Sequence, residues 1–252
     1  MKNLKKVTRR EKIKAEAGVP VSRKPQHWSE SYGFHSFKPT DSQKELVHKI
    51  EQNTLTFVAS PAGTGKTATV LWHFCKEYVK DNTKKLIIIR TPTEAGMDKI
   101  GALPDDYSAK VAPHFESTKK ILEQMLSRGK VETDMDHRIF FKIPNFCLGA
   151  TFDNSLILID EAQQLQPMIL KLLLERTGID SKVVCVGDNT QLYATGADKR
   201  NALKDALPRF FDATADGLEP KYESVAFHKF SVQDVMRSDI VKTVITAYTG
   251  MV

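Results

Sequence analysis

Residues 60–67 read Ser60-Pro61-Ala62-Gly63-Thr64-Gly65-Lys66-Thr67, between the apolar run Leu55-Thr56-Phe57-Val58-Ala59 and a stretch opening Ala68-Thr69-Val70-Leu71. A strand, a glycine-containing turn and a helix start are the setting a phosphate-binding loop requires. Gly63 and Gly65 allow the backbone to curl so that successive N–H groups point inward at phosphate oxygens. The following helix aims its partial positive end at the same place. In such a loop, Ser60 through Ala68 line the phosphates, Lys66 reaches the β- and γ-phosphates of ATP, and the Thr67 hydroxyl ligates Mg²⁺. The pattern G-x-x-x-x-G-K-[ST] places glycine where this chain has Ser60.

A second site supports the first. Leu156-Ile157-Leu158-Ile159-Asp160-Glu161-Ala162-Gln163 opens with four apolar residues, suited to a strand buried on both faces of a parallel sheet. Acids placed directly after such a strand emerge at its carboxyl end, where α/β proteins bind ligands. Asp160 is expected to hold the Mg²⁺ shell and Glu161 to orient or deprotonate an attacking water. That acidic pair, and the lack of an acceptor lid, argue against a nucleotide kinase. A third region, Gly187-Asp188-Asn189-Thr190-Gln191, follows the apolar run at 183–186. It places Gln191 where a side-chain amide senses the γ-phosphate.

The rest of the chain fits an α/β reading. Strands expected at 55–59, 85–90, 156–160, 183–186 and 224–230 alternate with helices over about 65–80, 116–128, 168–176 and 232–248. That order indicates a mostly parallel, doubly wound sheet. Thr40 or Asp41 is placed to cap a helix containing Leu46, Val47 and Ile50. Lys130 to His137 reads as a polar loop. The 252 residues suffice for a real core without staples. Cys75, Cys147 and Cys185 are widely spaced and read as buried thiols in a reducing compartment. With neither an apolar span nor a signal core, a cytoplasmic protein without membrane contact is expected.

Charge is uneven. Residues 1–50 carry 12 Lys/Arg against 5 Asp/Glu, a surplus larger than the +6 of the whole chain. Lys2, Lys5, Lys6, Arg9, Arg10, Lys12 and Lys14 dominate it. Residues 1–36 therefore read as a basic, flexible leader, and 37–252 as the domain. Such an arm serves either to neutralise nucleic-acid phosphates or to solubilise the chain.

Taken in order, Gln43, Ser60–Thr67, Thr93-Glu94-Ala95-Gly96, Leu158 to Gln163, Gly187 to Gln191 and Asp234-Val235-Met236-Arg237 resemble the PhoH family. The ATPase core of that family is similar to the first motor domain of superfamily 1 helicases. The resemblance runs from about Phe37 to Tyr248. It implies a single RecA-like domain, an Mg²⁺-dependent ATPase and single-stranded RNA or DNA as partner. By the same resemblance Gln43 reads the adenine edge and Arg237 is an arginine finger, while Arg90 meets phosphate or a nucleic-acid backbone. Because one motor lobe alone is present, the finger is expected in trans, from a neighbour in a homo-oligomer or ring. The competing expectation is a nucleotide-gated switch that binds a protein partner and turns over slowly.

Overall fold

Alternate residues of the central strands point into two separate apolar clusters, and this sets the architecture. Val58, Leu86, Ile88, Leu156, Leu158, Val184 and Val186 enter one cluster; Phe57, Ile87, Ile89, Ile157, Ile159, Val183 and Cys185 enter the other. A strand apolar on both faces must be covered on both, which is why these runs lack polar alternation. The structure, a computed structural model, describes residues 32–92, 107–147, 149–188, 201–215 and 217–249.

In chain order the strands are β1 (Leu55–Ala59), β2 (Lys85–Arg90), β3 (Ile139–Lys142), β4 (Ser155–Asp160), β5 (Lys182–Gly187), β6 (Phe211–Thr214), β7 (Gly217–Pro220) and β8 (Val225–Lys229). Six of them form one sheet in the order β3-β2-β4-β5-β1-β8, with every pairing parallel. The helices are α1 (Asp41–Gln52), α2 (Lys66–Lys80), α3 (Tyr107–Leu126), α4 (Arg128–Asp134), α5 (Pro167–Leu174), α6 (Ala202–Phe210) and α7 (Asp239–Thr249). Leu46 and Ile50 of α1, Leu71 and Phe74 of α2, and Leu122 of α3 fill the first cluster. Leu170 and Leu173 of α5, with Leu203 and Ala206 of α6, fill the second. The sheet is thus doubly wound, as the alternation of elements predicts.

Register fixes the carboxyl edge. Arg90 at the end of β2 pairs with Asp160 at the end of β4, and Ala59 of β1 pairs with Gly187 of β5. The segments that follow these strands therefore emerge side by side.

Five local features depart from the sequence expectations. The helix Arg128–Asp134 runs into the Lys130–His137 stretch read as a loop. Its polar face is laced by the i,i+4 pairs Arg128–Glu132 at 2.7 Å and Lys130–Asp134 at 2.6 Å, while Val131 is buried. One apolar residue among charges hides a short helix from a periodicity argument. Ile139–Lys142 adds an edge strand with only four residues, and α6 with the β6–β7 hairpin was not anticipated. The closing helix starts at Asp239, because a reciprocal Ser231–Asp234 cap holds a separate 3-10 turn at Val232–Asp234. Finally, Tyr32 and Phe34 are buried and Trp72 Nε1 donates to Phe34 O at 2.7 Å, so the ordered body begins before Phe37. Residues 1–31 of the basic leader lie outside the described residues.

Cys75, Cys147 and Cys185 are all buried free thiols. Among the described residues no helix is long and apolar enough to cross a membrane, and no cluster of metal-ligating His, Cys, Asp and Glu appears. Of the aromatics between β2 and β4, Phe115 and Phe152 are core residues, whereas Phe146 is exposed.

Candidate active site

The turn after β1 curls as its glycines require. Gly63 and Gly65 have φ of 85° and 76°, and Gly65 is the residue from which α2 starts. L-residues adopt such angles at a cost, so glycine is the fitting choice at both positions. Ser60 keeps an ordinary negative φ, so serine in place of glycine strains nothing. Its amide donates to Gly187 O at 3.0 Å, and its hydroxyl donates to Pro61 O at 2.8 Å while touching the Thr64 hydroxyl. Ser60 and Thr64 are both buried. The departure from the usual pattern is an internal brace of the loop.

Gln43 supports the same loop from α1. Its Oε1 accepts from Thr40 N at 3.1 Å, completing a reciprocal cap at the helix start, and its Nε2 donates to Thr64 O at 3.0 Å. The side chain is 1% exposed. The residue expected to read adenine therefore ties helix cap to phosphate loop.

Lys66 and Thr67 open α2, with Thr67 directed at the end of β4. Its hydroxyl donates to Asp160 Oδ1 at 3.1 Å. Asp160 is buried, and burial pushes its carboxyl above the ordinary range, while the Arg90 guanidinium and the Thr67 hydrogen bond pull it back. Arg90 Nη1 lies 3.6 Å from Asp160 Oδ2, and Arg90 Nη2 lies 3.9 Å from Glu161 Oε1. Arg90 thus stands beside both acids, a placement the sequence left open. Its Nε and the Thr91 hydroxyl are buried without a hydrogen-bond partner.

Glu161 adopts φ 54° and ψ 42°, a left-handed conformation for a residue with a side chain. Holding a non-glycine residue there costs about 1–3 kcal/mol and is met by surrounding contacts. Its amide donates to Asp160 Oδ1 at 3.1 Å, and its carboxylate accepts from Gln163 Nε2 at 2.7 Å. The same left-handed φ occurs at Ser127, Asp136, Asn154, Asp180 and Ser224, so at Glu161 it sets the direction of the carboxylate and is not by itself a mark of function.

Arg237 reaches the loop from the segment after β8. Met236 N donates to Gly63 O at 3.0 Å. A Cβ built on Gly63 would lie 2.9 Å from Arg237 Cδ and 3.1 Å from Nε. The expected finger therefore lies across the phosphate loop of its own chain. Gln191, like Thr93 to Gly96, lies outside the described residues.

The residues present fit the group the loop implies. A hydroxyl and a carboxylate oxygen are hard donors of the kind Mg²⁺ takes alongside phosphate oxygens. A Cβ on Gly63 or Gly65 would meet the Arg237 or Gln43 side chain, so the two left-handed glycines let the loop curl beneath these groups.

A phosphate-type loop after one strand, facing an acid pair at the end of a parallel strand one position removed in the sheet, defines a P-loop nucleotide-binding α/β domain. The chain belongs to the PhoH family: the family model described as PhoH-like protein matches residues 37–249. PhoH-like proteins of Synechocystis sp. and Bacillus subtilis are each 30% identical over 210 residues, covering 83% of this chain and 61% and 62% of theirs. Protein PhoH of Escherichia coli is 27% identical over 212 residues, covering 57% of that protein. The chain spans about three fifths of the length of these relatives. Among solved structures, the large terminase ATPase domain of Thermus phage P74-26 is similar at a TM-score of 0.48 and 13% identity, over 84% of this chain and 88% of that one. The DUF1998 helicase MrfA bound to DNA is similar at 0.44 and 12%, over 84% and 30%.

Proposed function

We propose that this chain is an Mg²⁺-dependent ATP hydrolase of PhoH type that works with single-stranded RNA or DNA as a cytoplasmic homo-oligomer. The observation that carries the hydrolase reading is the 3.1 Å contact between the Thr67 hydroxyl and Asp160, with Glu161 next in the chain. Lys66 would grip the β- and γ-phosphates, and the loop N–H groups the remaining oxygens. Thr67 and Asp160 would hold Mg²⁺, which when bound offsets charge building on the transferring phosphoryl group. Glu161, next to Asp160 at the end of β4, orients the water and takes its proton.

Arg237 completes the charge stabilisation in cis. Its stem over Gly63 of the same chain favours this over the trans arrangement expected from the sequence. Gln43 is carried over for the base edge by the family resemblance alone, and reading a base would take its amide away from Thr40 N and Thr64 O. Gln191 keeps the sensor role that its sequence position suggests. The nucleic-acid partner is supported by the basic surplus in residues 1–50 and the helicase-like motif order. The cytoplasmic setting is supported by three buried, unpaired cysteines.

The test is steady-state ATP hydrolysis with Mg²⁺, with and without single-stranded RNA or DNA, using Glu161→Gln as control. Stimulation by one polymer, abolished by the substitution, is the expected result. Tight ATP binding with negligible turnover, unmoved by either polymer, would overturn the reading in favour of a partner-gated switch.

A further inference from the structure

The acid pair is followed by Ala162 and Gln163, and Gln163 is fully buried at 0% exposure. Both ends of its amide are used. Oε1 accepts from Asp188 N at 3.1 Å, just past the end of β5, and Nε2 donates to Glu161 Oε2 at 2.7 Å. The Asp188 N–H can only donate, so the acceptor end of the amide must face it. That leaves the NH₂ end, which can only donate, for the Glu161 carboxylate. Neither end can swap without leaving a buried polar group unpaired.

The neighbouring backbone makes room for this bridge. A Cβ built on Gly187 would lie 2.5 Å from Gln163 Oε1. Gly187 has no left-handed φ, so close approach of the amide, and not backbone conformation, is what excludes a side chain there. Glu161 meanwhile keeps distinct surroundings on its two oxygens: Oε2 is held by Gln163, whereas Oε1 faces Arg90 Nη2 at 3.9 Å.

We infer that Gln163 is a positioning residue for hydrolysis: it ties the Glu161 carboxylate to the end of β5 and so fixes which oxygen is presented to the attacking water. This rests on the hydrolase reading above. A general base works only within hydrogen-bond reach of its proton, so a carboxylate free to rotate loses turnover, not nucleotide affinity. Gln163 touches no phosphate in this arrangement; it acts through Glu161.

Two substitutions separate positioning from bracing. Gln163→Glu keeps an acceptor for Asp188 N but sets a second carboxylate against Glu161. Gln163→Met keeps the volume, carries no charge and removes both hydrogen bonds. Single-turnover hydrolysis and equilibrium binding of a fluorescent ATP analogue are measured for each, alone and combined with Glu161→Gln. The expected result is a turnover loss of about 10–100-fold in both single variants with ATP affinity within about twofold of the parent. In the Glu161→Gln background Gln163→Met should cost less than about twofold more, because groups acting as one unit are non-additive. Gln163→Met with parental turnover, a full additive loss in the double variant, or a parallel loss of ATP affinity would each overturn the inference. Failure of the parent reading is distinct: there Glu161→Gln itself would leave hydrolysis intact.

Discussion

Arg237 lies across Gly63 so closely that a β-carbon on the glycine would sit 2.9 Å from the arginine Cδ. An arginine stem laid on the phosphate loop of its own chain supports a cis role for the proposed finger. Mixing inactive Lys66→Ala chains with inactive Arg237→Ala chains should then give no recovery of ATP hydrolysis, even where mixed oligomers form. Recovered turnover in the mixture would require a trans finger. Gly63→Ala should weaken ATP binding at least about tenfold, since left-handed backbone with a side chain costs about 1–2 kcal/mol before the arginine is displaced. Isothermal titration reads this directly.

Magnesium binding should depend on acidity over an unusual range. Burial raises the Asp160 carboxyl above the ordinary carboxylate value of about 3.9. The ionised form is the ligand, so apparent Mg²⁺ affinity with a non-hydrolysable ATP analogue should already decline while the pH is still above that value. Asp160→Asn should abolish both the binding and its pH dependence. A titration flat down to pH 4 would show that Asp160 is not the ligand.

Far from the loop, the Tyr78 hydroxyl donates to the buried carboxylate of Asp134, which also meets Lys130 at 2.6 Å and Arg138 at 3.8 Å. Tyr78→Phe removes one hydrogen bond from a buried charge and should cost about 1–3 kcal/mol in urea unfolding. ATP affinity should not change, because α4 is remote from the carboxyl edge that carries the site.

Acid should destabilise the fold through His73. Its ring is 2% exposed with neither nitrogen hydrogen-bonded and Nδ1 3.8 Å from Glu51 Oε1, and burial lowers its pKa despite Glu51 and Glu77, with Lys76 and Lys182 pushing the same way as burial. A lowered folded-state value means the unfolded chain takes the proton first as pH falls below about 6.5. The contribution to stability is therefore complete above that pH and lost below it. His73→Phe should flatten the fall in melting temperature between pH 6.5 and 5. His228, also held low by burial, leaves a residual slope.

Much of the site was legible because its chemistry is local in sequence. A loop of eight residues and an acid pair each carry their own flanking strand, and a short unbroken apolar run marks each of those strands. What escaped was of two kinds. Short elements such as α4 and β3 present too few apolar residues for a period to show; their stability comes from Ser127 capping, ion pairs and the neighbouring sheet. Long-range partnerships are also silent in sequence. Nothing near Gln163 announces that Asp188, on another strand end, fixes its amide, nor does the Arg237 segment declare whose phosphate loop it covers. Arg90 gained its place beside the acids only through the parallel register of β2 and β4.

That register has a further consequence. A shift of one residue between β2 and β4 would turn Arg90 to the opposite face of the sheet and leave Asp160 beside an isoleucine. The spacing of Arg90 from the acid pair is thus a property of the hydrogen-bond ladder and not of any loop that could be adjusted later. Core side chains on either face can be exchanged for others of similar volume. An insertion or deletion inside β2 or β4 cannot be absorbed, and this protein should tolerate length changes only beyond the strand ends.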